Sequence, residues 1–111
     1  MAFTAYHNIT GSSGVTVELI APGDEINKIK SITIANTHAT ADATVSLFVQ
    51  DDPTTGATNT FYMFKTVAIP SDTSLLLDNS DMLSFNNDDV YGFGLYLTVG
   101  GSDTLDVLIK V

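Results

Sequence analysis

The 111-residue chain is predicted to be all-β, a single antiparallel β-sandwich with about eight strands. Short runs of β-branched and aromatic residues recur about every eight to twelve residues, with turn-forming residues between them. Apolar and polar residues alternate along the later runs, which is typical of half-buried strands. No window shows a sustained helical period of apolar residues. These three observations favour one β-rich domain, and the length agrees with a single domain.

Residues 1–14 are expected to form a flexible N-terminal arm, and residues 15–111 are expected to form the sandwich. The arm is inferred from the run Thr10-Gly11-Ser12-Ser13-Gly14, whose residue types disfavour regular structure. Each later apolar run is bounded by Gly, Pro, Asn, Asp or Ser, which favour turns. The predicted strands are residues 15–20, 29–36, 43–50, 60–69, 74–77, 82–85, 90–99 and 104–111. Lys28 and Lys30 flank a break in phase at Ile29, where we expect a bulge or a sheet edge.

The odd positions of the C-terminal half form apolar rows that are expected to face the core. Each fully buried Leu, Ile or Phe contributes about 2 kcal/mol, so these rows dominate the predicted stability. A hairpin loop of residues 100–102 would set Leu97 beside Leu105 and Leu95 beside Val107. The rows comprise Phe61, Met63, Val67, Ile69, Tyr91, Phe93, Leu95, Leu97, Val99, Leu105, Val107, Ile109 and Val111.

Charge and composition exclude several classes of partner. Four lysines and no arginine oppose thirteen acidic residues, giving a net charge of −9. Nucleic acids and anionic membranes are therefore disfavoured, because binding them requires clustered basic side chains. The absence of cysteine excludes disulfides and thiolate zinc sites. No stretch is long enough to cross a bilayer, and the N-terminus lacks the pattern of a secretory signal, so we expect a chain that is used without export.

The residues of types that carry chemistry are better explained by local structure, and no catalytic residue, cofactor or metal site is predicted. His7 and His38 have no recognisable nucleophile partner and are expected to be solvated surface histidines. Carboxylates cluster at residues 51–52, 78–81 and 86–89, where Asp is common because it caps turn N–H groups. Calcium at either of the last two loops is the alternative, since oxygen ligands on loops suit that ion.

Gly92 and Gly94 form a Gly-x-Gly within an apolar run. A nucleotide fingerprint would need a third glycine and a helix to receive the phosphate, and both are missing here. Glycine inside a strand instead marks a bend or the close approach of another backbone or a large ring. We expect a bend or such a close approach at this strand.

Several apolar side chains fall on the even face, which points away from the predicted core. Contiguous exposed aromatic residues usually mark a contact with another protein. The alternative is that a loop or the N-terminal arm covers them within one chain. The candidate interface residues are Phe48, Tyr62, Phe64, Tyr96 and Leu108, with Phe3 and Tyr6 of the arm.

Four segments carry a resemblance to a known class: Lys28-Ile29-Lys30-Ser31-Ile32-Thr33-Ile34-Ala35-Asn36-Thr37, Ala43-Thr44-Val45-Ser46-Leu47-Phe48, Val67-Ala68-Ile69-Pro70 and Ser74-Leu75-Leu76-Leu77. With these segments the chain resembles small virion structural proteins of tailed bacteriophages, over about residues 15–111. The resemblance implies a jelly-roll-like or immunoglobulin-like sandwich that coats or joins parts of a virion assembled in the host cytoplasm. It also implies multiple copies or a homo-oligomer, with the major capsid protein or other virion proteins as partners. It supplies no catalytic residues.

The function expected from the sequence is therefore that of a noncatalytic virion protein, specifically a capsid decoration or cement protein that binds the head lattice. An acidic surface without arginine fits a position outside the genome-filled interior. A component of the tail, neck or fibre is the first alternative. A module that binds carbohydrate or a host surface is the second, since jelly rolls often serve that purpose.

Overall fold

The computed structural model describes residues 4–10, 15–51, 56–101 and 104–111, and these form two four-stranded antiparallel sheets. The prediction of an all-β sandwich with eight strands is confirmed. No helix long and apolar enough to span a membrane is present among the described residues. The strands are β1 (Thr4–Thr10), β2 (Val15–Ile20), β3 (Ser31–Asn36), β4 (Ala43–Asp51), β5 (Thr60–Ile69), β6 (Thr73–Leu77), β7 (Phe93–Gly101) and β8 (Thr104–Lys110).

The strand order identifies the sandwich as a jelly roll. The first sheet has the order β1-β8-β3-β6, and the second sheet has the order β2-β7-β4-β5. First pairs with last, second with seventh, third with sixth and fourth with fifth, as in a long antiparallel ribbon rolled into two sheets. An immunoglobulin-like sandwich would instead pair several consecutive strands within each sheet. Of the two predicted types, the structure is therefore the jelly roll.

The core lies between the two sheets and contains the inward rows of both. Leu95 and Leu97 of β7 are fully buried, as are Val107 and Ile109 of β8. The inward orientation predicted for these odd positions is confirmed. Other fully buried apolar side chains among the described residues include Ile20, Ile29, Ile32, Ile34, Ala43, Val45, Leu47, Ile69, Leu83 and Leu105.

The predicted hairpin between the last two strands is wrong. β7 belongs to the second sheet and β8 to the first, so Leu97 and Leu105 are not neighbours within one sheet. Leu97 and Leu105 enter the same core from opposite sheets. Two inward-facing rows produce the same alternation of apolar residues whether they lie in one sheet or in two. The period of two residues defines the inward face of a strand but not its hydrogen-bonding partner.

The flexible arm expected over residues 1–14 is not observed at Thr4–Thr10, which forms strand β1. This strand pairs with β8 in a continuous register from Thr4 opposite Lys110 to Thr10 opposite Thr104. Ile9 is buried in the core, so the strand contributes to the sandwich itself. Residues 11–14 and Phe3 lie outside the described part of the chain. The glycine- and serine-rich run thus follows a strand, whereas it was expected to end an arm.

Three other predicted elements differ from the structure. Residues 82–85 form turns and irregular chain and are not a strand. Leu83 is nevertheless fully buried, and this single core residue within a short apolar run explains why a strand was predicted. β3 begins at Ser31 and lies between β8 and β6, so the phase break at Ile29 marks the segment before a central strand. Residues 90–92 form a turn before β7, and Tyr91 is exposed although an inward position was expected.

Irregularities in β5 change which of its residues face the core. The register against β4 shifts on both sides of Leu47, and Thr66 has a φ of 56°. Phe64 consequently lies opposite the buried Leu47 and packs against the core, so its predicted place on the outer face is wrong. Phe61 lies opposite Val49 but is 59% exposed, because it belongs to the end of an edge strand. Its ring packs against Phe93, with centroids 5.9 Å apart.

The β4–β5 hairpin is closed by Asp51 and Asn59, which gives it a pH dependence. The Asn59 backbone N–H and side-chain amide donate to the two carboxylate oxygens of Asp51 over 2.6 and 2.9 Å. These hydrogen bonds, the side-chain one above all, hold the pKa of Asp51 below its ordinary value of 3.8. Because the folded pKa is lowered, the stabilisation is complete above the ordinary value and is lost as the pH falls through the folded pKa.

We therefore expect the Asp51 carboxyl to titrate below pH 3.8 in a carbon-detected NMR experiment on the folded protein. Hydrogen-exchange protection of the Asn59 amide should be lost over the same range of pH. In the Asn59→Ala variant, the midpoint should move up towards the ordinary value. A midpoint at or above that value in the unsubstituted protein would contradict this account.

Candidate interaction surface on the outer face of the second sheet

Three aromatic residues from adjacent strands form a row across the outer face of the second sheet. Tyr96 of β7 lies opposite Phe48 of β4, and Phe48 lies opposite Tyr62 of β5. Directly opposite residues of antiparallel strands point to the same face, so the three side chains project together. We call Phe48, Tyr62 and Tyr96 the aromatic row. Glu18 of the edge strand β2 lies opposite Tyr96 and extends the row to the sheet edge.

The rings of the aromatic row pack against one another. The Phe48 centroid lies 5.3 Å from that of Tyr62, at an interplanar angle of 50°, and 5.7 Å from that of Tyr96, at 20°. Phe48 is only 7% exposed, whereas Tyr62 is 49% exposed. Phe48 therefore forms the base of the row, and Tyr62 is its most accessible ring. Such ring pairs contribute about 0.5–1.5 kcal/mol beyond their buried area, which holds the tyrosines in place.

The two ends of the row carry opposite charges. At the β2 edge, the Tyr96 hydroxyl donates to Glu18 Oε2 over 3.2 Å. At the β5 edge, Lys65 Nζ lies 5.1 Å from the centroid of the Tyr62 ring, in a cation–π contact. The Lys65 side chain thus brings its ammonium group next to the Tyr62 ring, although the two residues are three positions apart along β5. An anion and a cation therefore flank the aromatic row.

Gly94 of β7 allows the segment at the end of β2 to lie close to β7 on this face. A Cβ atom at Gly94 would lie 2.7 Å from the Ile20 carbonyl oxygen, 2.9 Å from Pro22 Cδ and 3.2 Å from Tyr96 Cε2. Of the two expected alternatives, a bend or a close approach, the structure shows the close approach of a backbone and a large ring at Gly94. The glycine leaves space for the end of β2 and for the Tyr96 ring.

The neighbouring positions on the face are polar but uncharged. The Thr16 and Thr98 hydroxyls are hydrogen-bonded over 2.8 Å, and Ser46 Oγ accepts from the Thr66 backbone N–H over 2.9 Å. Hydroxyl groups thus border the row where the strands continue beyond it. Sequence reasoning did not single out these residues, since isolated Thr and Ser in strands are common and their pairing depends on register.

The other predicted interface residues do not join the aromatic row. Tyr6 lies opposite Leu108 on the outer face of the first sheet, on the far side of the sandwich. Tyr6 is 72% exposed, and Leu108 is half-buried. Phe64 packs inward, and Phe3 lies outside the described residues. The predicted residues that lie on the described surface are therefore divided between two opposite faces.

Both histidines are half-buried, so their predicted position as solvated surface groups is wrong. His7 Nε2 is buried and has no hydrogen-bond partner among the described residues. His38 Nδ1 accepts from the backbone N–H groups of Thr40 and Ala41, over 3.1 and 2.9 Å. This ring therefore stabilises the loop between β3 and β4.

The acidic loops use their side-chain oxygens within turns. Asn79 Oδ1 accepts from Asp81 N and Met82 N, and Asp89 Oδ1 accepts from Tyr91 N over 2.9 Å. Within residues 4–10, 15–51, 56–101 and 104–111, no three His, Asp or Glu side chains form a group that could hold a metal ion. Local turn chemistry thus accounts for the positions at which calcium was considered.

Asn87 is a structural residue that sequence reasoning missed. Its side chain is fully buried, accepts from Ile26 N over 2.8 Å and donates to the carbonyl oxygens of Ala21 and Phe93, both over 2.9 Å. Its own carbonyl oxygen accepts from Gly23 N and Glu25 N. One amide thereby connects the loop after β2 to the segment before β7. In the sequence it is one of four adjacent Asn and Asp residues and cannot be told apart from them.

Comparisons with known proteins identify the fold. No protein-family model matches the chain. No curated protein matches it either. A solved structure of infectious bursal disease virus, Gx strain, is 12% identical with a TM-score of 0.50, and the match covers 100% of this chain and 33% of that one. PirA is 13% identical with a TM-score of 0.52, covering 97% and 93% of the two chains.

The CBM22-1 xylan-binding domain of Xyn10C from Paenibacillus barcinonensis is 11% identical, with a TM-score of 0.50. That match covers 98% of this chain and 79% of the domain. The chain spans about a third of the length of the infectious bursal disease virus chains that it matches. At this level of identity the likenesses show a shared β-sandwich fold.

Proposed function

We propose that the chain is a noncatalytic structural protein of a virus particle, specifically a decoration or cement protein on the head of a tailed bacteriophage. The observation that carries the proposal is the aromatic row, which is exposed at Tyr62 and has Glu18 and Lys65 as the charged groups described in contact with it. Tyrosine and phenylalanine are enriched in contacts between proteins, and charged residues are depleted at the centre of such contacts. A face of this composition fits contact with a neighbouring subunit.

The fold is compatible with such a role. Jelly rolls are common in viral coats, and two of the similar solved structures are of infectious bursal disease virus or of T=1 particles derived from it, with TM-scores of 0.50 and 0.52. The net charge of −9 disfavours contact with the packaged genome and fits a position among virion proteins outside it. In a multicopy assembly, many weak contacts together suffice for stable attachment.

The alternative location in a tail, neck or fibre differs in copy number. A protein of the shell is present in hundreds of copies per particle, whereas a protein of the tail is present in a handful. Quantitative mass spectrometry of purified particles, measured relative to the major shell protein, separates these two locations. A handful of copies would exclude the decoration role and favour the tail.

A carbohydrate-binding module is the second candidate, and the aromatic row is also the observation that favours it. Tyrosine rings can stack on sugar rings, and the similar CBM22-1 domain is described as xylan-binding. The absence of tryptophan weakens this candidate. Glycan-array binding by the purified chain that is lost in the Tyr62→Ser variant would favour it over a protein contact.

We expect Tyr62→Ser to reduce the number of copies on purified particles at least tenfold. Removing a half-exposed aromatic anchor at the centre of a contact costs about 2 kcal/mol or more, which is roughly a thirtyfold loss of affinity. Phe48 is retained in this variant, so the thermal unfolding midpoint of the isolated protein should change little. Copies per particle are measured by quantitative mass spectrometry of particles in which the gene for the unsubstituted chain has been replaced by the gene for the variant.

Tyr6→Ser is the matched control, because Tyr6 is the more exposed tyrosine and lies on the opposite face. It should leave the occupancy of particles unchanged. Equal occupancy for the Tyr62→Ser variant and the unsubstituted protein would rule out the aromatic row as the contact. If mass spectrometry detects the major shell protein in purified particles but no peptide of this chain, the virion role is refuted.

A further inference from the structure

We propose that the outer face of the second sheet pairs with the same face of a second copy of this chain, about a two-fold axis parallel to the strands. The inference rests on the proposed function in taking this face as the contact surface, and it names the partner that the face meets.

The arrangement of charges makes the face complementary to itself. Glu18 lies on the β2 edge and Lys65 on the β5 edge, with the aromatic row between them. A two-fold axis parallel to the strands and centred between β7 and β4 reverses the strand order in the second copy. The β2 edge of each copy then faces the β5 edge of the other. Glu18 of each copy meets Lys65 of the other, which gives two equivalent ion pairs.

The same rotation places the aromatic residues together. β7 of one copy faces β4 of the other, so Tyr96 meets Phe48 across the contact, and this happens twice. Tyr62, which is half-exposed in a single copy, is covered beside the ion pair. Two sheets that pack face to face with their strands aligned are a common arrangement, with the sheets about 10 Å apart.

The charge balance of the chain favours a second copy on this face over other faces. Two copies that each carry a charge of −9 repel one another, and they approach most readily through a surface on which opposite charges meet. On this face the charges of Glu18 and Lys65 cancel. Neither of the two has an ion-pair partner within the part of the chain that the structure describes. A second copy supplies the missing counter-charge to both.

The area of the face sets the strength of the contact. Four strands about 4.8 Å apart, each contributing about seven residues at about 3.3 Å, give a face of about 440 Å². Two copies together would bury about 900 Å², which is below the 1,200 Å² typical of stable complexes. The dimer therefore belongs to the weak class, and it forms at the high local concentration of a multicopy assembly.

The test is sedimentation equilibrium of the full chain between about 10 µM and 1 mM, in about 50 mM salt. The unsubstituted protein should show a concentration-dependent dimer. Glu18→Lys alone and Lys65→Glu alone should each weaken it at least tenfold, because each variant brings like charges together at both ends of the row. An equimolar mixture of the two variants should dimerise again, because opposite charges then meet at both ends.

The matched controls change the net charge equally but away from the face. Lys110→Glu on β8 and Glu25→Lys in the loop after β2 should dimerise like the unsubstituted protein. Failure of the mixed variants to associate, or a monomer throughout the concentration range, would overturn the dimer. Particle occupancy that still depends on Tyr62 would then preserve the proposed function with a different protein on this face. If the purified chain dimerises but is not found in particles, the virion role is overturned and the dimer is retained.

Discussion

Replacing Asn87 with alanine is expected to lower the free energy of unfolding by about 3–5 kcal/mol. The change removes the acceptor for Ile26 N and the donors for the Ala21 and Phe93 carbonyl oxygens. Ile26 N and the Phe93 carbonyl oxygen then lose this partner in a part-buried position, at about 1–3 kcal/mol per group, whereas the Ala21 carbonyl oxygen still accepts from Asp24 N. Proteins of this size are stable by about 5–15 kcal/mol, so the loss is a large share of the total. Urea denaturation followed by circular dichroism measures it.

Asn86→Ala is the matched control for Asn87→Ala. Asn86 is the exposed neighbour, and its Oδ1 accepts from the Asp88 backbone N–H over 3.1 Å. Its removal should lower the free energy of unfolding by less than about 1 kcal/mol. Equal effects of the two substitutions would show that the buried amide does not connect the loops as described.

Gly94→Ala is expected to be similarly severe, lowering the free energy of unfolding by about 3 kcal/mol. The new Cβ would lie 2.7 Å from the Ile20 carbonyl oxygen and 2.9 Å from Pro22 Cδ, so the end of β2 or strand β7 must move. The methyl group also lies 3.2 Å from the Tyr96 ring, so the substitution should displace that ring from Phe48. Chemical denaturation measures the first effect, and the NMR shifts of the Tyr96 ring report the second.

Gly56→Ala separates the clash from the general effect of removing a glycine. A Cβ at Gly56 would meet nothing within 4 Å, but its φ of +91° disfavours any other residue. We expect about 1 kcal/mol of backbone strain there. If Gly94→Ala destabilised the protein no more than this control, the close approach at Gly94 would not limit the packing of the sheet.

The fold class was predictable because alternation and turn residues are local signals. β5 has the predicted bounds, Thr60–Ile69, and the inward rows of β7 and β8 are the predicted ones. The assignment of strands to sheets was not predictable, because alternation is satisfied equally by a neighbour in the sheet and by a strand across the core. This ambiguity produced the incorrect pairing of Leu97 with Leu105.

The candidate surface was predictable in its aromatic part. Phe48, Tyr62 and Tyr96 share even positions, and the structure brings them together. Phe64 was misplaced because the bulges in β5 change the phase, and a bulge has no clear signature in the sequence. Glu18 and Lys65 were missed because their places at opposite ends of the row depend on the register of four strands.

The jelly-roll order also determines how the chain reaches its native state. Of the six strand pairings in the described part of the chain, β4–β5 alone joins strands that are consecutive in sequence. The others unite distant segments, as where Tyr6 meets Leu108. Long loops must close before those ladders form, so folding is slow, on the order of milliseconds to seconds. We expect the hairpin joined by Asp51 and Asn59 to form early, because it joins consecutive strands, and the pairing of β1 with β8 to form late, because it joins the two most distant strands.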